Sequence, residues 1–173
     1  MIRRAILRPL EAALFPTAPS RSAYGFTIQA WSENPDFDDS FTKVRRALET
    51  LRYIDERRFA RMQRDVDVIA VVPPRKFAGR YSRGARRLFL SESIVKTWGS
   101  SCALIMAHEA IHARLYEAGI IRRRLHKRAE HRCYAETIAF VDRWRARVES
   151  QPEFEQWLVR RREELVATMA RFE

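Results

Sequence analysis

Residues 99–118 have the sequence GSSCALIMAHEAIHARLYEA, and this stretch decides how the rest of the chain is interpreted. Ser100 or Ser101 suits the N-cap of an α-helix and Gly119 suits its C-terminal stop, so the stretch predicts a long helix. The five residues before His108 are all apolar, which is typical of a buried helix. Two histidines and a carboxylate on such a helix would cost several kcal/mol without partners, and a metal ion supplies one.

His108, Glu109 and His112 form an HExxH motif. Residues four apart lie on the same face of a helix, so both imidazoles can bind one Zn²⁺ at about 2.0–2.1 Å. Glu109 stands one residue further on, where it can take a proton from the water that the metal activates instead of binding the metal. The motif therefore predicts a zinc site with Glu109 as the general base.

A third protein ligand is expected, because catalytic zinc usually has three. The metzincin extension of the motif would need Gly and His where this chain has Leu115 and Ala118, so the ligand should come from the next predicted helix. Glu130 lies on the apolar face of that helix, which should pack on the motif helix, and is favoured on helical phase. Glu136 and then His131 are the alternatives.

Hydrolysis of a peptide bond would also need a hydrogen-bond donor for the oxyanion that develops. Tyr134, one turn after Glu130, is the candidate, and Tyr116, one turn after His112, is a second. For both tyrosines the alternative interpretation is an ordinary core aromatic residue.

Working outward, residues 1–35 are expected to be an irregular N-terminal arm with a short helix near 3–14, and residues 36–173 a single domain. Apolar spacing and turn residues predict the other elements. These are a helical run over 41–63, strands over 66–72 and 87–91 separated by a basic glycine-containing loop, and helices near 127–148 and 153–171. This order predicts an α+β fold: a small, mostly antiparallel sheet packed on the motif helix and the ligand helix, with an extra C-terminal helix.

Composition narrows the class of protein further. The chain has 173 residues, enough for one core, and its 5 glycines form no phosphate-binding loop. Cys102 and Cys133 are expected to be buried and reduced. No signal peptide or membrane span is evident, so we expect a cytoplasmic protein, with an N-terminal arm lying on a membrane surface as the alternative.

The net charge of +11 favours a polyanionic partner, either an acidic protein or nucleic acid. The basic residues are mostly arginines spread along the chain, and no known nucleic-acid motif accompanies them. The alternative interpretation is a set of solvated helix faces.

An HExxH motif followed by a glutamate on the next helix resembles the gluzincin branch of zinc metallopeptidases. The run from His108 to Arg114, with Glu130, Cys133 and Glu136 downstream, also resembles a group of small uncharacterised bacterial zincin-like proteins. The similarity covers about residues 85–145. It implies a small sheet backed by the motif helix, with an outermost strand that holds an extended substrate; that strand would be Arg87 to Ser91. Arg114 departs from the apolar residue that many such peptidases have after the motif.

Three functions follow as expectations. The first is a zinc-dependent metallohydrolase, most simply a peptidase acting on a peptide or protein substrate. The second is a non-catalytic, zinc-stabilised binding protein whose basic surface docks an acidic partner or nucleic acid. The third resembles the small basic SprT-like proteases that act at nucleic acid, which would require His131 as the third ligand.

Overall fold

The computed structural model describes residues 18–31, 36–97, 99–120, 126–148 and 151–172. The strands are β1 Ser20–Ala23, β2 Phe26–Ala30, β3 Val68–Val72, β4 Gly79–Ser82 and β5 Arg87–Ser91. The helices are α1 Phe37–Ile54, α2 Glu56–Asp65, α3 Glu92–Thr97, α4 Gly99–Glu117, α5 His126–Arg145 and α6 Pro152–Met169, followed by a 3₁₀ turn over Ala170–Phe172. The fold is therefore α+β. Within these ranges no helix is both long enough and apolar enough to cross a membrane.

The five strands form one sheet in the order β1-β2-β3-β5-β4. The outer pairs, β1 with β2 and β4 with β5, are antiparallel, whereas β3 is parallel to both of its neighbours. The prediction of a mostly antiparallel sheet is therefore wrong, and the sheet is mixed. The helices α1 and α2 carry the chain from β2 back to the start of β3, which is the crossover that parallel neighbours require.

The N-terminal part of the chain contributes to this sheet. An irregular arm over 1–35 is wrong for residues 20–30, which form the hairpin of β1 and β2. Its turn is Tyr24-Gly25, and both residues have positive φ, 52° and 79°, as a tight hairpin turn needs. Alternate side chains of β2 are buried in the core, starting from Phe26. The helix predicted near 3–14 lies outside the described residues.

The predicted helical run over 41–63 is two helices with a break at Asp55. Leu51 and Ile54 are buried at the end of α1. The Asp55 side chain then accepts a hydrogen bond of 3.0 Å from the backbone N–H of Arg58, which caps the start of α2. Aspartate is a favoured N-cap residue because its carboxylate satisfies an N–H that the helix itself leaves unpaired.

The motif helix α4 lies at the centre of the molecule. It packs against α1, α2, α3 and α5 and against the strands β4 and β5. Its buried residues therefore occupy most of its circumference, as expected for a helix that is apolar all round. Gly79, the first residue of β4, permits the close approach of that strand, because a Cβ atom there would collide with Ile105 and Glu109 of α4. The edge of the sheet is thus held directly against the motif.

Candidate metal centre

The two motif histidines face α5 across the helix interface. Their side chains are 13% and 11% exposed for His108 and His112, and Glu109 between them is 8% exposed. Four residues of α5 at helical spacing meet them: Glu130, Cys133, Tyr134 and Thr137. The candidate centre is therefore built where two packed helices present their polar residues to each other.

The Glu130 carboxylate contacts both imidazoles. Its Oε1 lies 3.3 Å from Nε2 of His112, and its Oε2 lies 3.7 Å from Nε2 of His108. Two donors bound at about 2.05 Å to a tetrahedral Zn²⁺ stand about 3.3 Å apart, so each of these contacts, made by a different carboxylate oxygen, has about the length expected between two ligands of one ion. Burial alone would raise the pKa of Glu130, but the contacts with His108 and His112 lower it well below its ordinary value.

The orientation of His108 is set by Thr137, which is 1% exposed. The Thr137 hydroxyl donates its only proton to the Cys133 carbonyl at 2.7 Å and lies 3.4 Å from Nδ1 of His108. Because the hydroxyl proton is already used, the oxygen can only accept from Nδ1–H. This arrangement favours the tautomer that leaves the Nε2 lone pair of His108 facing Glu130.

Glu109 is held from the other side by the edge strand. Its Oε2 accepts a hydrogen bond of 2.9 Å from the backbone N–H of Tyr81 in β4. Burial raises the pKa of the Glu109 carboxyl, while His112, His108 and the Tyr81 N–H act in the opposite direction. The Tyr81 hydroxyl donates to the Asp65 carbonyl and lies 3.0 Å from a Glu117 carboxylate oxygen, which fixes the strand to α2 and α4.

Cys133 is a donor that the sequence analysis assigned to the core. Among the described residues, His108, His112 and Cys133 form a group whose metal-binding atoms all lie within 4.8 Å of one another. The thiol is fully buried, and burial, followed by the nearby Glu130, raises its pKa well above the ordinary value. Two sets of three donors thus share the histidines, one completed by Glu130 and the other by Cys133. Glu130 contacts both Nε2 atoms but is not a member of the group with Cys133, so the two sets are alternative ways to complete the centre.

The alternative ligands lie elsewhere. Glu136 contacts three arginines: its Oε2 is 3.4 Å from Arg58, and its Oε1 is 3.6 Å from Arg132 and 3.9 Å from Arg114. It therefore neutralises a cluster of positive charge on the flank of α5. Neither His131 nor Glu130 is a member of the His108, His112 and Cys133 group found among the described residues, and His131 as third ligand stays a prediction.

The two candidate tyrosines have different surroundings. The Tyr134 ring centroid lies 4.7 Å from that of His108, and on its other side the ring stacks on Phe172 at 5.6 Å. Burial, followed by Glu130, raises the Tyr134 pKa, so the phenol keeps its proton. Tyr116 packs between His112 and Tyr81, at 6.4 and 6.1 Å. Tyr134 lines the cavity beside the histidines, whereas Tyr116 is not among the residues that line it.

A cavity of about 1580 Å³ opens over these side chains. One wall is α6, with Phe154, Trp157 and Leu165; the opposite wall includes Gly79 at the start of β4. The expectation that Arg87 to Ser91 would be the outermost, substrate-side strand is wrong, because β5 lies between β3 and β4. The strand at the edge of the sheet nearest the cavity is β4, and the sequence predicted a loop for this segment.

Fold and side chains together define an α+β protein with a candidate metal centre at the floor of a large cleft. No protein-family model, no curated protein and no solved structure matches this chain. The resemblance to gluzincins therefore stays a prediction.

Proposed function

We propose that this chain is a zinc-dependent peptidase in which His108, His112 and Glu130 hold the ion and Glu109 is the general base. The observation that carries the proposal is the Glu130 carboxylate, which bridges the two Nε2 atoms at 3.3 and 3.7 Å. Two imidazoles and one carboxylate are a ligand set that catalytic zinc sites use. The centre also lies in a cleft, which a catalytic site needs and a purely structural one does not.

Zn²⁺ bound there would lower the pKa of a water and polarise the scissile carbonyl. Glu109 directly follows His108 in the sequence and interacts electrostatically with both histidines, so its carboxylate could accept the proton of the attacking water and pass it to the leaving amine. The Tyr81 N–H holds one Glu109 oxygen at 2.9 Å and so limits rotation of the carboxylate. Tyr134 lines the cavity beside His108, so its phenolic O–H is the candidate donor to the oxyanion.

The edge strand supports a polypeptide substrate. Just before β4 the Ala78 carbonyl accepts from the Ser91 N–H of β5, whereas the Tyr81 N–H points to the other side, toward Glu109. By the alternation of an antiparallel ladder, the backbone groups of Gly79 then also point away from β5. Because Glu109 already accepts from the Tyr81 N–H, an extended peptide would pair with the edge at Gly79, which lines the cavity.

The test is a comparison of the parent protein with Glu109→Gln. Glutamine keeps a side-chain oxygen for the Tyr81 N–H but cannot act as a base at neutral pH. Both proteins are loaded with zinc and incubated with an unstructured protein substrate, and the fragments are counted by mass spectrometry. We expect about 10²- to 10⁴-fold slower cleavage by Glu109→Gln and an unchanged zinc content.

The matched control is Glu153→Gln, which removes an exposed carboxylate from the wall of the same cavity. We expect it to cleave at the parent rate. Cleavage that survives in Glu109→Gln, or a parent protein that does not bind zinc, would refute the proposal.

A second candidate function is a zinc-stabilised binding protein without catalysis. The net charge of +11 favours it, since an acidic protein or nucleic acid would bind such a surface, and the Tyr81 hydrogen bond satisfies Glu109 without any chemistry. In that case Glu109→Gln changes no measured property, whereas His112→Ala lowers the melting temperature sharply. Binding to DNA or to an acidic protein should then weaken as salt is raised.

A further inference from the structure

Cys133 lies close to both motif histidines, and packing in the core alone does not explain this position. It lies three residues after Glu130 on α5, so both side chains are on the face that packs against α4. Its sulfur and one ring nitrogen of each motif histidine lie within 4.8 Å of one another. Sulfur and nitrogen bound to one tetrahedral Zn²⁺ stand about 3.6 Å apart, so the thiol would move toward the histidines on binding, and Glu130, which is outside this group, would move with it.

We propose that Cys133 is a fourth protein donor to the ion held by His108, His112 and Glu130, so that the resting centre has no open position and the water of the proposed hydrolysis binds only when the thiolate leaves the ion. The inference rests on the proposed function in taking a metal to bind there. On binding, the thiol proton leaves to solvent and a sulfur–metal bond forms. No oxidant or reductant is needed.

The donor atoms of the four residues suit a site of low solvation. The Cys133 side chain is fully buried, and those of the histidines and Glu130 are 11% to 14% exposed. A divalent ion with two neutral imidazoles and one carboxylate keeps one net positive charge among its ligands, which the Glu109 carboxylate offsets only from beside the ligand set. A thiolate ligand would offset it at the ion itself. A thiolate also favours zinc, cobalt and cadmium over magnesium or calcium, which prefer oxygen ligands.

Cys102, the other buried cysteine of the chain, can be compared directly with Cys133. This cysteine is equally buried, but it lies in the main core, where its sulfur contacts Met106 at 3.8 Å. Cys133 instead sits between α4 and α5 with Ile111, Leu115 and Ala129 around it. The two cysteines differ in position relative to the histidines and not in burial, so Cys102 is the matched control.

The first experiment replaces zinc with Co²⁺ and records the absorption spectrum. We expect the parent protein to show a thiolate-to-cobalt charge-transfer band in the near ultraviolet. Cys133→Ser should lose this band and still bind one cobalt through the other three ligands, whereas Cys102→Ser should keep it. A parent spectrum without the band, or a band that survives in Cys133→Ser, would overturn the inference.

The second experiment needs no variant and therefore does not depend on how Cys133→Ser folds. X-ray absorption of the zinc-loaded parent should require one sulfur at about 2.3 Å beside nitrogen and oxygen at about 2.0–2.1 Å. A first shell of nitrogen and oxygen alone contradicts a fourth donor.

The outcomes separate this inference from the proposed function. Zinc with sulfur in its first shell, but no cleavage by the parent or by Cys133→Ser, leaves the inference standing and refutes the peptidase. If the zinc has no sulfur ligand and cleavage requires Glu109, the inference about Cys133 is refuted and the peptidase stands. If both hold, Cys133→Ser should cleave faster than the parent, because it has an open position at rest. A parent that binds no metal refutes both.

Discussion

Gly79 determines how closely the edge strand approaches the motif helix, and replacing it with alanine tests that arrangement. A Cβ atom at this position would stand 3.0 Å from Cγ of Glu109 and even closer to Cγ2 of Ile105. Neither atom is at the free end of a flexible side chain, so β4 or α4 must move. We therefore expect Gly79→Ala to destabilise the fold and to displace Glu109 from the Tyr81 N–H.

The size of the effect follows from overpacking. Inserting a methyl group into a packed contact costs about 1–3 kcal/mol. For a protein of this size, each kcal/mol lowers the melting temperature by about 2–4 °C, so the expected loss is about 2–12 °C. Differential scanning fluorimetry and urea unfolding measure it. Gly84→Ala is the control, since nothing lies within 4 Å of a Cβ atom there and its φ is not positive, and we expect its stability to be unchanged or slightly higher.

A double variant identifies the contact responsible. Ile105→Ala removes the methyl group that the new Cβ atom would meet, at a cost below the roughly 2–5 kcal/mol of a fully packed site, since Ile105 is half-buried and lines the cavity. Combined with Gly79→Ala, it should destabilise less than the two single changes added together, because the closer of the two collisions is gone. Equal stability of Gly79→Ala and Gly84→Ala, or strictly additive effects in the double variant, would refute the proposed packing of β4 on α4.

Three further predictions concern the centre and its flank. Thr137→Val should weaken zinc binding about 10- to 100-fold, whereas Thr137→Ser keeps it, as measured by competition with a chromophoric chelator; equal affinities would exclude the hydroxyl from orienting His108. Glu136→Gln should lower the free energy of unfolding by about 1–3 kcal/mol, because Arg58 loses a charged partner, and should leave zinc content at the parent value; loss of zinc would instead make Glu136 a ligand. Removing zinc with a chelator should cost about 2.7 kcal/mol relative to zinc at 100 times its Kd, or about 5–11 °C in melting temperature, and a melting curve indifferent to the chelator would argue against a bound metal.

Elements with many buried side chains could be predicted closely from the sequence. The strand predicted over 87–91 is β5, and the helices predicted near 127–148 and 153–171 are α5 and α6 to within three residues at either end. The strand β2 was missed although its alternate residues are buried, because it lies in the proline-containing stretch over 1–35 that was expected to be irregular. The strands β1 and β4 were not predicted either, because each has four residues and only Tyr81 among these eight residues is buried. Their conformation depends on pairing with a neighbour at the sheet edge, which a local hydrophobic pattern does not reveal.

The candidate ligands on α5 could be chosen by helical phase, since two helices that pack face to face bring residues of one phase together. Helical phase predicts that Glu130 faces the histidines, and in the structure its carboxylate contacts the Nε2 atoms of both. Cys133 has nearly the same phase, but a cysteine in an apolar run is more often a core residue, and only the distance between helices distinguishes the two. The contacts of Glu136 could likewise not be predicted from the sequence, because its partner Arg58 lies 78 residues away in the chain.

Glu109 offers the sharpest distinction between an enzyme and a structural metal centre. A centre that only joined α4 to α5 would gain from an apolar residue here, because the carboxylate is 8% exposed and its pKa is raised by burial. A raised pKa means that folding disfavours the charged form, so at neutral pH the ionised carboxylate costs stability in the metal-free protein. The chain nevertheless has a carboxylate here, with Gly79 and the Tyr81 N–H arranged around it.

We therefore expect metal-free Glu109→Gln to be as stable as the parent or more stable, while the zinc-loaded variant loses hydrolysis. Such a gain in stability with a loss of activity is what a site strained for catalysis produces. Urea unfolding after chelation gives the first quantity, and cleavage of an unstructured protein gives the second. A variant that is clearly less stable than the parent would mean that Glu109 serves the fold, and the carboxylate would then give no support to catalysis.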